Sequence, residues 1–220
     1  WQLGTYHWQL VINNGTSITN TADQTFTIQL PQPSGPPSIS SITPATIPYN
    51  AQTPVVISGT NFASNASVQI NSPNGSEIIF NPTISVTSSP NTISFNVTAA
   101  NTITLGPGAT TISISQSTGS TGGGLSITVP GPTISTLNPN AATLGTNPTF
   151  TITGTNFFSG INMGVLVGSL AITPTIISST QLQFSLSVQQ LSTLGVGQTP
   201  IQVTGPGGTT SPLTLTISAP

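Results

Sequence analysis

The chain has 220 residues with no Lys, no Arg and no Cys, two acids (Asp23 and Glu77) and one His (His7). Ordinary soluble proteins are about 25% charged, and this one is 1% charged, so it lacks the cations that nucleic acids and anionic membrane surfaces require. No apolar run reaches the ~18 residues of a membrane-crossing helix, and a chain dominated by Thr, Ile, Val and Ser suits half-buried strands rather than disorder.

Residues 1–31 predict a hairpin with one apolar face. Tyr6, Trp8, Leu10 and Ile12 alternate with His7, Gln9, Val11 and Asn13, so they share one side of a strand. Asn13-Asn14-Gly15 signals a turn, and Phe26, Ile28 and Leu30 form the apolar side of the return strand. An isolated two-stranded hairpin is marginal in water, and this one holds both Trp residues and one of the two Tyr residues. It is expected to be buried against something. Pro31 ends the strand, and Pro33, Pro36 and Pro37 then make a stiff linker over 32–37. The chain opens at Trp1 with no charged or apolar leader pattern, as a processed or partial chain would.

The rest of the chain is a tandem repeat, the first feature to establish in any such sequence. Gly59-Thr60-Asn61-Phe62 recurs as Gly154-Thr155-Asn156-Phe157, an offset of 95 (154 − 59). At the same offset Ile39-Ser40 matches Ile134-Ser135, Ile42 matches Leu137 and Pro44 matches Pro139. In the first repeat, strands are expected near 38–43, 53–58, 66–71, 77–86, 92–97, 109–116 and 124–129, with a break from Gly119 to Gly124. In the second they fall near 133–137, 148–153, 163–168, 170–177, 181–186, 199–204 and 213–218, with a helical turn at 189–192. Seven short strands at turn-punctuated spacing imply a β-sandwich in each repeat. The closing pair of the second repeat, from Gly197 to Val203 and back through Leu213, Leu215 and Ile217, has the layout of residues 4–30. Residues 1–31 are therefore expected to be the last hairpin of a third, incomplete unit, completed by strands cut from this sequence or supplied by another molecule.

The opening of each repeat resembles the immunoglobulin-like IPT/TIG family. The residues are Ile39-Ser40-Ser41-Ile42-Thr43-Pro44 with Val55-Val56-Ile57-Ser58-Gly59-Thr60-Asn61-Phe62, and Ile134 to Pro139 with Phe150 to Phe157. The resemblance implies an all-β fold of tandem immunoglobulin-like β-sandwiches at 38–129 and 132–219, preceded by the incomplete hairpin or donor strand. Such domains occur in cell-surface receptors, transcription factors and bacterial surface proteins. The transcription-factor use needs basic loops, which this chain lacks. An extracellular or cell-surface location is the expectation.

The residues offer little chemistry. Asp23 and Glu77 fall in different units, and general acid–base work needs a positioned titratable group. His7 sits on a strand beside aromatics. Zinc needs three or four His, Cys or carboxylate ligands, calcium needs clustered oxygens, and neither set is present. The Gly-rich stretches at 122–124 and 205–208 precede no helix, so no phosphate cradle forms. No enzyme activity, cofactor or metal is expected.

A surface this short of charge must stay soluble by other means. One is glycan, and Asn14, Asn65, Asn74 and Asn96 head N-x-[ST] patterns. The other is polymerisation. The favoured expectation is a homopolymer, an extracellular fibre or pilus in which the N-terminal strand enters an Ig-like domain of a neighbouring copy. Tyr6, Trp8, Leu10, Ile12, Phe26, Ile28 and Leu30 would be the assembly strand. The alternative is a repeat segment of an adhesin or carbohydrate-binding stalk, with Trp1 and Trp8 able to stack on sugars.

Overall fold

A computed structural model describes residues 2, 4–28, 33–86 and 90–220. Leu30, part of the linker and Trp1 lie outside the described residues.

Four short strands form the N-terminal segment: β1 (Gly4–Trp8), β2 (Val11–Asn13), β3 (Ile18–Asn20) and β4 (Gln24–Ile28). β1 pairs antiparallel with β4 and β2 with β3, which makes one long, interrupted hairpin. Among the described residues neither pair is hydrogen-bonded to a strand of the sandwiches.

The first sandwich comprises β5 (Ser38–Thr43), β6 (Thr46–Pro48), β7 (Thr53–Thr60), β8 (Ser67–Asn71), β9 (Glu77–Phe80), β10 (Thr83–Ser85), β11 (Asn91–Val97), α1 (Ala99–Leu105), β12 (Gly108–Gln116) and β13 (Gly119–Thr128). Its sheets run β10-β11-β7-β5 and β6-β13-β12-β8-β9. The second comprises β14 (Thr133–Asn138), β15 (Ala141–Thr143), β16 (Thr149–Thr155), β17 (Gly164–Val167), β18 (Leu170–Ile172), β19 (Thr175–Ser178), β20 (Gln181–Ser185), α2 (Val188–Leu194), β21 (Gly197–Gly205), β22 (Gly208–Thr209) and β23 (Leu213–Ser218). Its sheets run β14-β16-β20-β19 and β15-β23-β21-β17-β18. Strand for strand the two orders are the same. The protein is all-β, with two tandem immunoglobulin-like sandwiches.

Alternation along the strands builds each core. On β7 the even exposure rhythm buries Val55, Ile57 and Gly59 and turns Pro54, Val56 and Thr60 outward, as a strand with one face on a core must. Ile57, Ile70, Ile93, Ile112 and Ile114 are sealed in the first core; Phe150, Ile152, Leu182, Ile201 and Val203 are sealed in the second. Each fully buried aliphatic or aromatic side chain contributes about 1.5–3 kcal/mol relative to exposure.

Four details differ from the sequence expectation. The runs 77–86 and 170–177 are each two strands, β9/β10 and β18/β19, and each pair divides between opposite sheets. The glycines at 119–124 lie within β13 rather than in a break, because that stretch pairs with β12 along its length. Short strands β6 and β15 run parallel to the last strand of each domain. A helix, α1, occupies 99–105, and the expected turn at 189–192 is part of α2. Both helices open with capping boxes: Thr98 with Asn101, and Ser187 with Gln190. Each box satisfies orphan amides of the first turn.

Candidate interaction surfaces

The repeated Gly-Thr-Asn-Phe motif is structural in every residue that distinguishes it. A Cβ on Gly59 would overlap the Ser38 carbonyl oxygen and the Phe62 ring; on Gly154 it would overlap the Thr133 carbonyl oxygen and the Phe157 ring. Glycine therefore lets β5 close on β7, and β14 on β16, while the Phe folds back beneath the pair. Asn61 and Asn156 have φ of 59° and 61°, a left-handed conformation that Asn tolerates better than most residues. Their Nδ2 groups donate to the carbonyls of Pro36 (3.2 Å) and Gly131 (2.8 Å), tying each domain to the segment that precedes it. Phe62 and Phe157 are each 1% exposed.

The next position separates the two copies. Phe158 points out of its own domain and joins the buried cluster of the first, with Ile161 packed beside it. Its ring meets Tyr49 edge-on, with centroids 5.4 Å apart and planes at 77°, a favoured aromatic geometry. Beside this contact is a cleft of about 200 Å³ that Asn50, Ile103, Ser159 and Ile177 help to line. The positions equivalent to Phe158 and Ile161 in the first domain are Ala63 and Ala66, which are too short to reach out of it. The junction between the two sandwiches is therefore a wedge and socket that the first domain does not repeat toward the hairpin.

The hairpin carries the expected assembly residues. Tyr6 lies opposite Phe26 in the β1–β4 register, and their rings stack at 5.3 Å. Trp8 (53%), Leu10 (53%), Ile12 (51%) and Phe26 (45%) are exposed, and Tyr6 and Ile28 are half-buried. The expected continuous first strand is interrupted at Gln9-Leu10. There the partner strand carries one extra residue: three steps from Trp8 to Val11 face four from Gln24 to Asn20. Leu10 still bonds Thr21 in both directions, at 2.9 Å each. His7 Nδ1 and Asp23 Oδ2 are 2.6 Å apart at this bulge, with side chains 64% and 48% exposed. This cross-strand tie pins the irregularity; sequence spacing alone did not reveal it. Glu77 lies apart on β9, and among the described residues no three His, Cys, Asp or Glu gather.

The three hairpins share a geometry. Each begins on a glycine with positive φ that faces an isoleucine on the last strand: Gly4 with Ile28, Gly108 with Ile127 and Gly197 with Ile217. The φ values are 151°, 127° and 138°. In β21–β23 the register also slips by one residue, three steps from Ile201 to Thr204 facing four from Leu213 to Thr209. Aligned on these glycines, Trp8 corresponds to Ile112 and Ile201, and Leu10 to Ile114 and Val203. Aligned on the isoleucines, Phe26 corresponds to Leu125 and Leu215. In the two complete domains all six counterparts are 0–2% exposed.

The four N-x-[ST] asparagines differ in their engagement. Asn14 Oδ1 accepts from Thr16 N, Thr16 Oγ1 and Ser17 N. Asn65 is exposed in a turn, and its Ser67 hydroxyl donates to the Ser115 carbonyl. Asn74 Nδ2 donates to the Leu105 carbonyl at the end of α1, which also accepts from Ser72 Oγ. Asn96 is exposed on β11, but its Thr98 hydroxyl is taken by the α1 cap. A glycan on Asn74 Nδ2 would have to displace the helix-end contact, whereas the bonds of Asn14 fall on its Oδ1.

Residues 132–217, the second sandwich, match the model of the IPT/TIG domain family, and the first sandwich repeats the same strand order and motif. No curated protein matches the chain. Among solved structures, it is similar to the surface glycan-binding protein PbSGBP-B from Prevotella bryantii, at 16% identity and a TM-score of 0.50, over 83% of this chain and 42% of that one. It is also similar to SGBP-B from a xyloglucan utilization locus in Bacteroides uniformis (20% identity, TM-score 0.34, 83% and 49% of the two chains). Domains A168–A170 of titin give 13% identity and a TM-score of 0.45, over 83% and 65%. The chain thus spans less than half the length of either bacterial structure, and at these identities the likeness is one of fold. Among the described residues no helix is long and apolar enough to cross a membrane.

Proposed function

We propose that this chain is a stalk segment of an extracellular cell-surface protein, whose stacked IPT/TIG-type domains hold a glycan-binding region away from the surface. The wedge of Phe158 and Ile161 into the first domain carries this reading, because it joins the two sandwiches by a packed apolar contact and not by the connecting segment alone. The likeness in fold to PbSGBP-B, a surface glycan-binding protein, supports the setting. Sugar sites commonly present an aromatic face, yet every aromatic of the two sandwiches is buried or half-buried. The sandwiches are therefore spacer, and sugar recognition belongs elsewhere in the protein. Affinity electrophoresis through xyloglucan and other neutral polysaccharides checks this. The native protein from its source is expected to be retarded and residues 34–220 to run freely. Retardation of residues 34–220 would place binding on the sandwiches and overturn the spacer role.

A second reading, the homopolymeric fibre, draws on the exposed apolar side of the hairpin. A strand donated to either sandwich must displace a resident strand, because Ile57, Ile112, Phe150 and Ile201 are already 0% exposed. Pairing at a sheet edge remains the route open to it.

A further inference from the structure

We infer that residues 4–28 are the closing hairpin of a third Ig-like unit, and that their apolar side is covered by the other strands of that unit, carried upstream in the same polypeptide. The inference deepens the stalk reading and rests on it.

Three observations converge on this occupant. The hairpin opens on a positive-φ glycine facing an isoleucine, as do both complete closing hairpins. It repeats the one-residue slip of β21–β23 at the same step, three residues against four. Most directly, Trp8, Leu10 and Phe26 stand where both complete domains seal their cores, yet they are 45–53% exposed. A hairpin built for some unrelated surface has no reason to reproduce both a bulge and a set of core positions. The complete domains cover these positions with the opposing sheet and with β8 or β17. The missing cover is then the remainder of a sandwich, with an apolar inner face and an edge strand that pairs with β1. A second copy of residues 1–220 cannot supply it, because both of its sandwiches already hold a closing hairpin of their own.

The spacing fixes how much chain is required. From the first strand to the hairpin glycine is 70 residues in the first domain (Ser38 to Gly108, 108 − 38) and 64 in the second (Thr133 to Gly197, 197 − 133). The third unit needs a similar stretch before Gly4. The bulkier Trp8, in place of Ile112 or Ile201, calls for smaller side chains on the facing sheet.

Intact-mass and peptide mapping of the protein isolated from its source, with hydrogen exchange on the same sample, tests this. At least about 60 residues are expected to precede Gly4, the length a sandwich remainder needs. The amides of β1 and β4 are expected to exchange at least about 100-fold more slowly there than in residues 1–220 alone. A native polypeptide beginning within a few residues of Trp1 would overturn the inference. So would upstream residues that leave hairpin exchange unchanged. Neither result touches the retardation test above, so the stalk reading and this inference fail separately.

Discussion

Gly154→Ala is expected to unfold the second domain while leaving the first largely folded. The added methyl has no free volume to enter, since the Thr133 carbonyl oxygen and the Phe157 ring occupy its place. The ring is 1% exposed and the carbonyl belongs to the paired first strand, so relief requires moving a strand or expelling a core aromatic. Overpacking alone costs about 1–3 kcal/mol, and loss of the buried Phe adds to it. With about 3–5 kcal/mol for the displaced Phe the total is about 4–8 kcal/mol, comparable to the lower half of a domain's stability of roughly 5–15 kcal/mol. The second domain holds no Trp or Tyr, so fluorescence reads its unfolding only indirectly, through Tyr49 at the junction with Phe158. Hydrogen exchange read by mass spectrometry resolves it, with peptides of β16, β20 and β21 losing protection. Asn156→Ala, which removes the bond to the Gly131 carbonyl and leaves alanine at φ 61°, is expected to cost about 1–3 kcal/mol and to leave the domain folded.

Phe158→Ala is expected to destabilise the first domain although the substitution lies in the second. Phe158 is 8% exposed and belongs to the first domain's buried cluster. Its removal opens a void beside Tyr49, and truncations of buried Phe cost about 3–5 kcal/mol in a full core. At the rim of a junction, where solvent can enter, about 2–3 kcal/mol is the expected loss. Two readouts separate this from a local defect. The Tyr49 fluorescence transition should move to lower denaturant while protection of the second domain's core stays unchanged. Small-angle scattering should show a broader spread of interdomain distances than for the parent chain. Unchanged scattering would mean that contacts other than Phe158 hold the two domains together.

The tandem repeat and most strands were legible because their determinants are local and repeated. Phe150 and Ile152 alternate with Thr149, Thr151 and Thr153, and the motif recurs at a fixed offset. Helix α1 was hidden by Thr102, Ile103 and Thr104, whose branching favours strands; its capping residues and the burial of Thr102 and Leu105 override that preference. The Gly119–Gly124 stretch reads as a break by composition, yet it is a strand paired with β12, and Ile42 lies over Gly123, where a Cβ would come within 2.6 Å of its Cδ1. The glycine there reports a close approach rather than a turn. Phe157 and Phe158 look like one core pair in the sequence. Only the three-dimensional arrangement sends them into different domains. The residues expected to form an assembly strand, Tyr6, Trp8, Leu10, Ile12, Phe26 and Ile28, were singled out by their alternating apolar pattern, but their partner was not, because covering strands leave no trace in the covered ones. The His7–Asp23 contact depends on a bulge that spacing does not predict.

Sedimentation velocity with electron microscopy, comparing residues 1–220 with the chain shortened to begin at Ser34, tests the stalk account most directly. Both sandwiches close their own cores, so the shortened chain is expected to be an elongated, folded monomer, with melting transitions matching those of its longer parent. The longer chain is expected to form no ordered polymer. Regular helical fibres from residues 1–220 that vanish when the hairpin is removed would contradict the account and establish the hairpin as an assembly strand.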